Sequence, residues 1–170
     1  SGGSFGIKQA IMPMIILTCL ASKLSNRQVI WVEDRLEHLT AASSATGRLT
    51  KLRASINERG LIEALDYDQI DDVGAYPRAP EPASLYRMHG NLSGAYKVKN
   101  ISCRNRVVLT NKTPSGLNRG FGGPQHYFAL ERLVHQIAVE LNLNALDVIK
   151  VNLLEKKQFP YKSPSGALLD

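Results

Sequence analysis

The sequence predicts an α+β domain, a mixed sheet with a hairpin and packed helices, and three observations carry that expectation. Thr50, Leu52, Ala54 and Ile56 alternate with Lys51, Arg53 and Ser55, and after a glycine turn the chain returns through Leu61 to Ile70, the pattern of a hairpin with one wet face. Apolar residues recur at helical spacing on both sides of it, over about 10–24 and 124–141. The helices fall irregularly between the strands, where a doubly wound parallel sheet would alternate them. A chain of 170 residues, 44% hydrophobic and 21% charged, suits one unit with a real core and excludes a disordered or collagenous polypeptide.

The chain opens on Ser1-Gly2-Gly3-Ser4-Phe5-Gly6, loop chemistry with no strand ahead of it, as expected of a piece cut from a longer polypeptide. Ile7, Ile11, Met14, Ile15 and Thr18 then mark a helix over about 10–24. Pro13 fits only if the helix starts within the turn before it, and Asn26 closes it. Ala10 to Ala21 is the most apolar run. It is well short of the ~20 residues that span a bilayer, so it reads as a core helix. No charged leader precedes it, and a cytoplasmic protein without a membrane contact is expected.

Val29-Ile30-Trp31-Val32 reads as a short buried strand and Arg35 to Leu39 as one or two helical turns, followed by a loop from Ser43 to Gly47. Gly60 supplies the left-handed position of the hairpin turn. Asp71 to Pro82 holds Pro77, Pro80 and Pro82, an irregular crossing, and Ala83 to Met88 suggests a short helix. Ile101, Cys103, Val107 and Leu109 mark a strand. Pro124 can occupy the first position of the helix that carries Leu130, Leu133, Val134, Ile137 and Leu141. Asn144 with Asp147 starts a further short helix to about Leu154, and Glu155 to Asp170 reads as loop.

Lys and Arg total 21 against 15 Asp and Glu, a net charge of +6 that suits anionic partners without naming one. Cys19 and Cys103 lie far apart and four histidines are scattered. That spacing offers no metal site, and both cysteines read as buried thiols.

Two segments share one form, a glycine loop with Phe-Gly inside it leading into an apolar helix: Gly2 to Gly6 and Gly120 to Gly123. Glycine brings backbone N–H groups close to a ligand, and a helix N-terminus adds unpaired donors, so such a pair can hold a phosphate or oxo-anion. Each loop alone could equally be a tight turn before a helix. Nucleotide-binding spacings are absent from both.

Gly2-Gly3-Ser4-Phe5-Gly6-Ile7-Lys8, Val32-Glu33-Asp34-Arg35, Tyr86-Arg87-Met88 and Arg119-Gly120-Phe121-Gly122-Gly123-Pro124-Gln125 stand in this order along the chain. In that order they resemble the large subunit of the xanthine dehydrogenase and aldehyde oxidase family, in the branch of carbon monoxide dehydrogenase-like large subunits. The resemblance covers essentially the whole chain and implies one lobe of a molybdopterin-binding domain. It implies a molybdenum hydroxylase that takes oxygen from water, hydroxylates an aldehyde or small heterocycle and passes electrons to 2Fe-2S clusters and FAD on other domains or subunits. The cofactor would be molybdenum-molybdopterin, in its cytosine dinucleotide form.

The resemblance assigns Gly3, Ser4, Phe5, Gly6, Arg119 and Gly120 to the cofactor, with the backbone of Phe5 and Arg119 near molybdenum. It assigns Gln9, Arg87 and Phe121 to the substrate. Three positions depart from the family pattern. Ser4 replaces a glycine, Gln9 stands where xanthine enzymes carry a glutamate, and Gly120 stands where carbon monoxide dehydrogenases carry a copper-binding cysteine. Purines and carbon monoxide are therefore not the expected substrates. The general-base glutamate of the family is expected outside this chain, which would be inactive alone. Partners implied are the remaining part of the large subunit, iron–sulfur and FAD subunits, and a small-molecule substrate. The competing reading is a free-standing anion- or nucleic-acid-binding module using the basic surface; 6% aromatic residues and the lack of a nucleic-acid motif weigh against it.

Overall fold

The computed structural model describes residues 4–6, 11–78 and 89–170. Gly3, Gln9, Arg87 and the expected helix over 83–88 lie outside the described residues.

Helix α1 (Met12–Ser25) begins one residue before Pro13, where the missing N–H is not needed. It ends at Asn26, whose left-handed φ of 50° lets its N–H reach the Ser22 carbonyl. The helix forms where the sequence places it, but it is not a core helix, because none of its residues is buried. Val29 to Val32 is not a strand either. A β-branched run needs a neighbouring ladder to satisfy its backbone, none of the described strands pairs with it, and Ile30 and Val32 are 74% and 82% exposed. Helix α2 (Arg35–Ala41) starts in a reciprocal cap: Asp34 accepts from the Glu37 N–H at 2.8 Å, and Glu37 accepts from the Asp34 N–H at 2.9 Å.

Strands β1 (Gly47–Ile56) and β2 (Ile62–Asp72) form the expected hairpin, and β3 (Asn100–Val108) joins β2 in parallel, giving a mixed sheet of order β1-β2-β3. Leu65, Tyr67, Gln69 and Asp71 alternate along the buried face of β2. At its end the Arg48 guanidinium grips the Asp71 carboxylate with two bonds of 2.7 and 2.8 Å, both side chains almost wholly buried. On β3, in register with Tyr67, Cys103 is exposed, as is Cys19 on α1, so neither is the buried thiol expected. Cys103 lies on β3, an edge strand of the sheet, and Cys19 on a helix that buries none of its residues.

Helix α3 (Gly123–Glu140) lays His126, Leu130, Val134, Ile137 and Ala138 against the sheet. The short α4 (Ala145–Asn152), capped by Asn144 accepting from the Leu146 N–H, adds Val148. The tail is more ordered than a loop, since Lys156–Gln158 forms a 3-10 turn and β4 (Tyr161–Lys162) pairs with β5 (Leu168–Leu169).

Two polar side chains organise this core. Asn152 is wholly buried; its Oδ1 accepts from the Ile62 N–H, and its Nδ2 donates to the Gly60 and Val148 carbonyls, all at 2.8 Å. His126, also wholly buried, stacks on Tyr67 at 5.1 Å. The Leu92 carbonyl takes both the Tyr67 hydroxyl at 2.8 Å and His126 Nε2 at 3.0 Å. A carbonyl only accepts, so Nε2 carries the proton.

Burial pushes the His126 pKa below that of an ordinary histidine. The unfolded chain therefore binds a proton at mildly acidic pH that the folded chain refuses. The stabilisation is full above the ordinary histidine pKa and is lost as pH falls. The melting temperature is expected to drop between about pH 7 and pH 5, and His126→Phe should flatten that slope while keeping a ring against Tyr67. Asn152→Ala leaves the Ile62 N–H and Gly60 carbonyl buried without partners. It should cost about 2–4 kcal/mol, lowering the melting temperature by roughly 5–15 °C in a thermal melt followed by circular dichroism.

Candidate functional site

The two glycine loops lie far apart in the sequence, and the fold brings them into contact. The Arg119 N–H is forked between the Phe5 carbonyl at 2.9 Å and its neighbour's Asn118 Oδ1 at 2.8 Å. The Arg119 guanidinium carbon lies 5.4 Å from the centre of the Phe5 ring, within cation–π range. Gly6 fixes how closely the first loop approaches: at φ 96° a Cβ there would lie 2.5 Å from the Leu117 carbonyl oxygen. No side chain fits.

The second loop holds three consecutive left-handed residues, Gly120 at φ 98°, Phe121 at 43° and Gly122 at 85°. Bonds of 2.9 Å from the Phe121 N–H to the Asn118 carbonyl and from the Gly123 N–H to the Gly120 carbonyl close it. A phenylalanine in that region costs about 1–2 kcal/mol, strain of the kind that collects at ligand sites. The turn delivers the chain into α3 at Gly122, with Pro124 in the first turn.

Thr46, Asn118, Arg119, Phe121, Gly122 and Gln125 line a small cavity of about 110 Å³ at this junction. No protein acceptor among the described residues takes the N–H groups of Gly120 and Gly122. Gln125 Nε2 donates to the Thr46 carbonyl at 2.9 Å, while its Oε1 is buried without a partner. The site thus offers backbone donors, one amide acceptor and the Arg119 side chain. Among the described residues no three His, Cys, Asp or Glu side chains gather to hold a metal ion. What the arrangement can grip is an oxygen-rich group that also presents a hydrogen-bond donor.

Of the residues singled out from the sequence, Phe5, Gly6, Arg119, Gly120 and Phe121 come together here, and Ser4 is exposed beside Phe5. Thr46 and Asn118 were given no site role, nor was Gln125, although it closes the second-loop motif. A signal existed for Gln125, since a side chain in the first turn of a helix leans back over its N-terminus. Thr46 carried none, because only the packing of the hairpin against α3 brings it near.

Residues 1–153 match the family model described as molybdopterin cofactor-binding domain. The chain is 31% identical to the 6-hydroxypseudooxynicotine dehydrogenase complex subunit gamma of Paenarthrobacter nicotinovorans, over 94% of this chain and 20% of that protein. It is 30% identical to the carbon monoxide dehydrogenase large chain of Hydrogenophaga pseudoflava, over 97% of this chain and 21% of that one. Among solved structures it superposes on quinoline 2-oxidoreductase from Pseudomonas putida 86 with a TM-score of 0.89 and 32% identity, covering 99% of this chain and 22% of that chain. The chain thus spans about a fifth of the length of these relatives.

Gly6→Ala is expected to drive the first loop off Leu117 and break the Arg119 to Phe5 bond. Hydrogen exchange at the Arg119 amide should accelerate by at least about 10-fold, while amides of β2 and α3 keep their protection. Unchanged exchange at Arg119 would show that the loops meet without this glycine.

Proposed function

The chain belongs to the molybdopterin cofactor-binding family, in the xanthine dehydrogenase and aldehyde oxidase group of large subunits, and we propose that it is the part of such a subunit that joins two cofactor-contacting loops. The observation that carries this reading is the bond from the Arg119 N–H to the Phe5 carbonyl, which makes one site of two glycine loops. The residues fit the group. Among the described residues the N–H groups of Gly120 and Gly122 and the Gln125 Oε1 meet no partner, and Gly6 and Gly120 are positions where a Cβ would collide with Leu117 or Pro124.

The backbone of Gly3, Ser4, Phe5, Gly6, Arg119 and Gly120 would hold the cofactor, with Phe5 and Arg119 nearest the metal. When bound, the molybdenum-molybdopterin group supplies the redox chemistry of hydroxylating a C–H carbon with oxygen from water. We assign it the cytosine dinucleotide form, with 2Fe-2S clusters and FAD on other domains or subunits taking the electrons. This chain's own contribution is to bind and orient. Left-handed backbone in the second loop keeps bulk away from the group, and Phe121, held between Gly120 and Gly122, presents a ring to the substrate. Gln9 and Arg87 are assigned to the substrate by their places in the family pattern. An aldehyde or a small nitrogen heterocycle fits this wall best. Relatives named for quinoline and for a nicotine-derived compound support the heterocycle, and Gly120 offers no thiol for copper.

In the complete large subunit, Phe121→Ala is expected to lower kcat/KM for a heterocycle or aldehyde by roughly 10- to 100-fold, the loss of aromatic contact worth ~1–3 kcal/mol. Molybdenum content measured by mass spectrometry should stay nearly unchanged. A fall in melting temperature with unaltered kcat/KM would make Phe121 a scaffold residue instead. A subunit that takes up no molybdopterin would overturn the reading as a whole.

A further inference from the structure

The most apolar of the described helices is left without a buried side. Helix α1 buries none of its residues and carries one charge, Lys23. Met12, Ile15, Ile16, Leu17, Leu20 and Leu24 are all exposed, Leu24 to 77%. At 100° per residue these six spread over roughly 200° of the helix circumference. The surface continues onto Ile30, Trp31 and Val32. Between the two elements runs a groove of about 520 Å³, lined by Ile15, Cys19, Ile30, Trp31 and Ala42 among others.

A helix apolar on most of its sides is one that ends up enclosed, and the breadth of this surface decides what encloses it. A second copy meeting it across a two-fold axis would cover one side only. A bilayer does not fit: fourteen residues rise ~21 Å against a hydrocarbon core of ~30 Å. A helix lying at a membrane surface would need a face rich in Lys and Arg, which a single lysine does not supply. The relatives supply an occupant of the right size. About four-fifths of each lies outside the stretch that this chain matches.

We infer that α1 and the 29–32 segment form an internal packing surface, enclosed on several sides by the remaining polypeptide of the same large subunit. The inference rests on the reading of the chain as part of such a subunit. It names the face on which that subunit is assembled. Residues 29–32, with which none of the described strands pairs, belong to the same face.

Cys19 lies in the groove and is exposed, so its alkylation reads the surface directly. Iodoacetamide labelling, followed by peptide mass mapping, should modify Cys19 in the 170-residue chain at close to the rate in guanidinium. In the complete large subunit it should be slower by at least about 100-fold, and equally so when the subunit is diluted from 10 μM to 0.1 μM, roughly the range over which a weak dimer dissociates. Ile16→Lys with Leu20→Lys should leave the melting temperature of the 170-residue chain within about 2 °C, as for surface substitutions, yet reduce the yield of folded large subunit by about 10-fold or more. Labelling at the unprotected rate in the complete subunit would overturn the inference, and protection that vanishes on dilution would overturn it in favour of a second copy. A protected Cys19 in a subunit without molybdopterin would leave this surface standing and remove the cofactor reading instead.

Discussion

Burial of one face of α3 against β1 and β2 is the interaction on which the rest of the described structure depends. Leu130, Val134, Ile137 and Ala138 enter the core with Leu65 and Tyr67, and that seam fixes the position of the helix start. Once Gly123 is held there, the turn before it has little freedom. It must reverse within Gly120 to Gly122, and three left-handed residues do so. The strain of placing Phe121 at positive φ is thus supported by packing several turns away, which is how a folded protein sustains a conformation that a peptide would abandon. The first glycine loop then docks on this preformed edge through Gly6 and the Phe5 carbonyl.

The polar interior makes the seam specific. Apolar burial alone would let α3 slide along the sheet, since it is non-directional. His126 and Tyr67 sharing the Leu92 carbonyl, and Asn152 joining the hairpin turn to α4, set one register, because a slipped arrangement would strand buried donors and acceptors. The Arg48–Asp71 pair acts similarly at the end of the sheet nearest the site, where Asn105 adds a 3.3 Å bond to the same carboxylate. Breaking such a pair costs more than making it gains, so it guards the register more than it adds stability.

The two parts of the chain therefore differ in kind. From β1 onward it carries a core and a site held by that core. Its early part, α1 to α2, forms helices by local rules but leaves its apolar surface uncovered. Capping, with Asp34 and Glu37 satisfying each other's backbone groups, and proline placement are sufficient to start and stop a helix. They carry no information about what lies against it. Between the two parts, the Arg119 to Phe5 bond is the described link that joins the two glycine loops.

What the sequence by itself determined is what local physics decides. Helix limits at Pro13, Asn26, Pro124 and Asn144, the hairpin with its turn at Gly60, and the inward set Leu52, Ala54 and Ile56 follow from dihedral preferences, caps and the two-residue period of a pleated strand. The resemblance of the glycine motifs to a molybdopterin-binding large subunit was legible too, because motif order is a property of the chain. Only the tertiary structure decided which apolar segments are buried, and Val29 to Val32 and Ala10 to Ala21 show why. Burial depends on a partner surface, and hydrophobicity records only the need for one. Tertiary structure likewise brought Thr46 and Gln125 to the loops and set the Arg48–Asp71 pair. A hydrogen bond between groups distant in sequence is a consequence of the packed fold, which no spacing along the chain encodes.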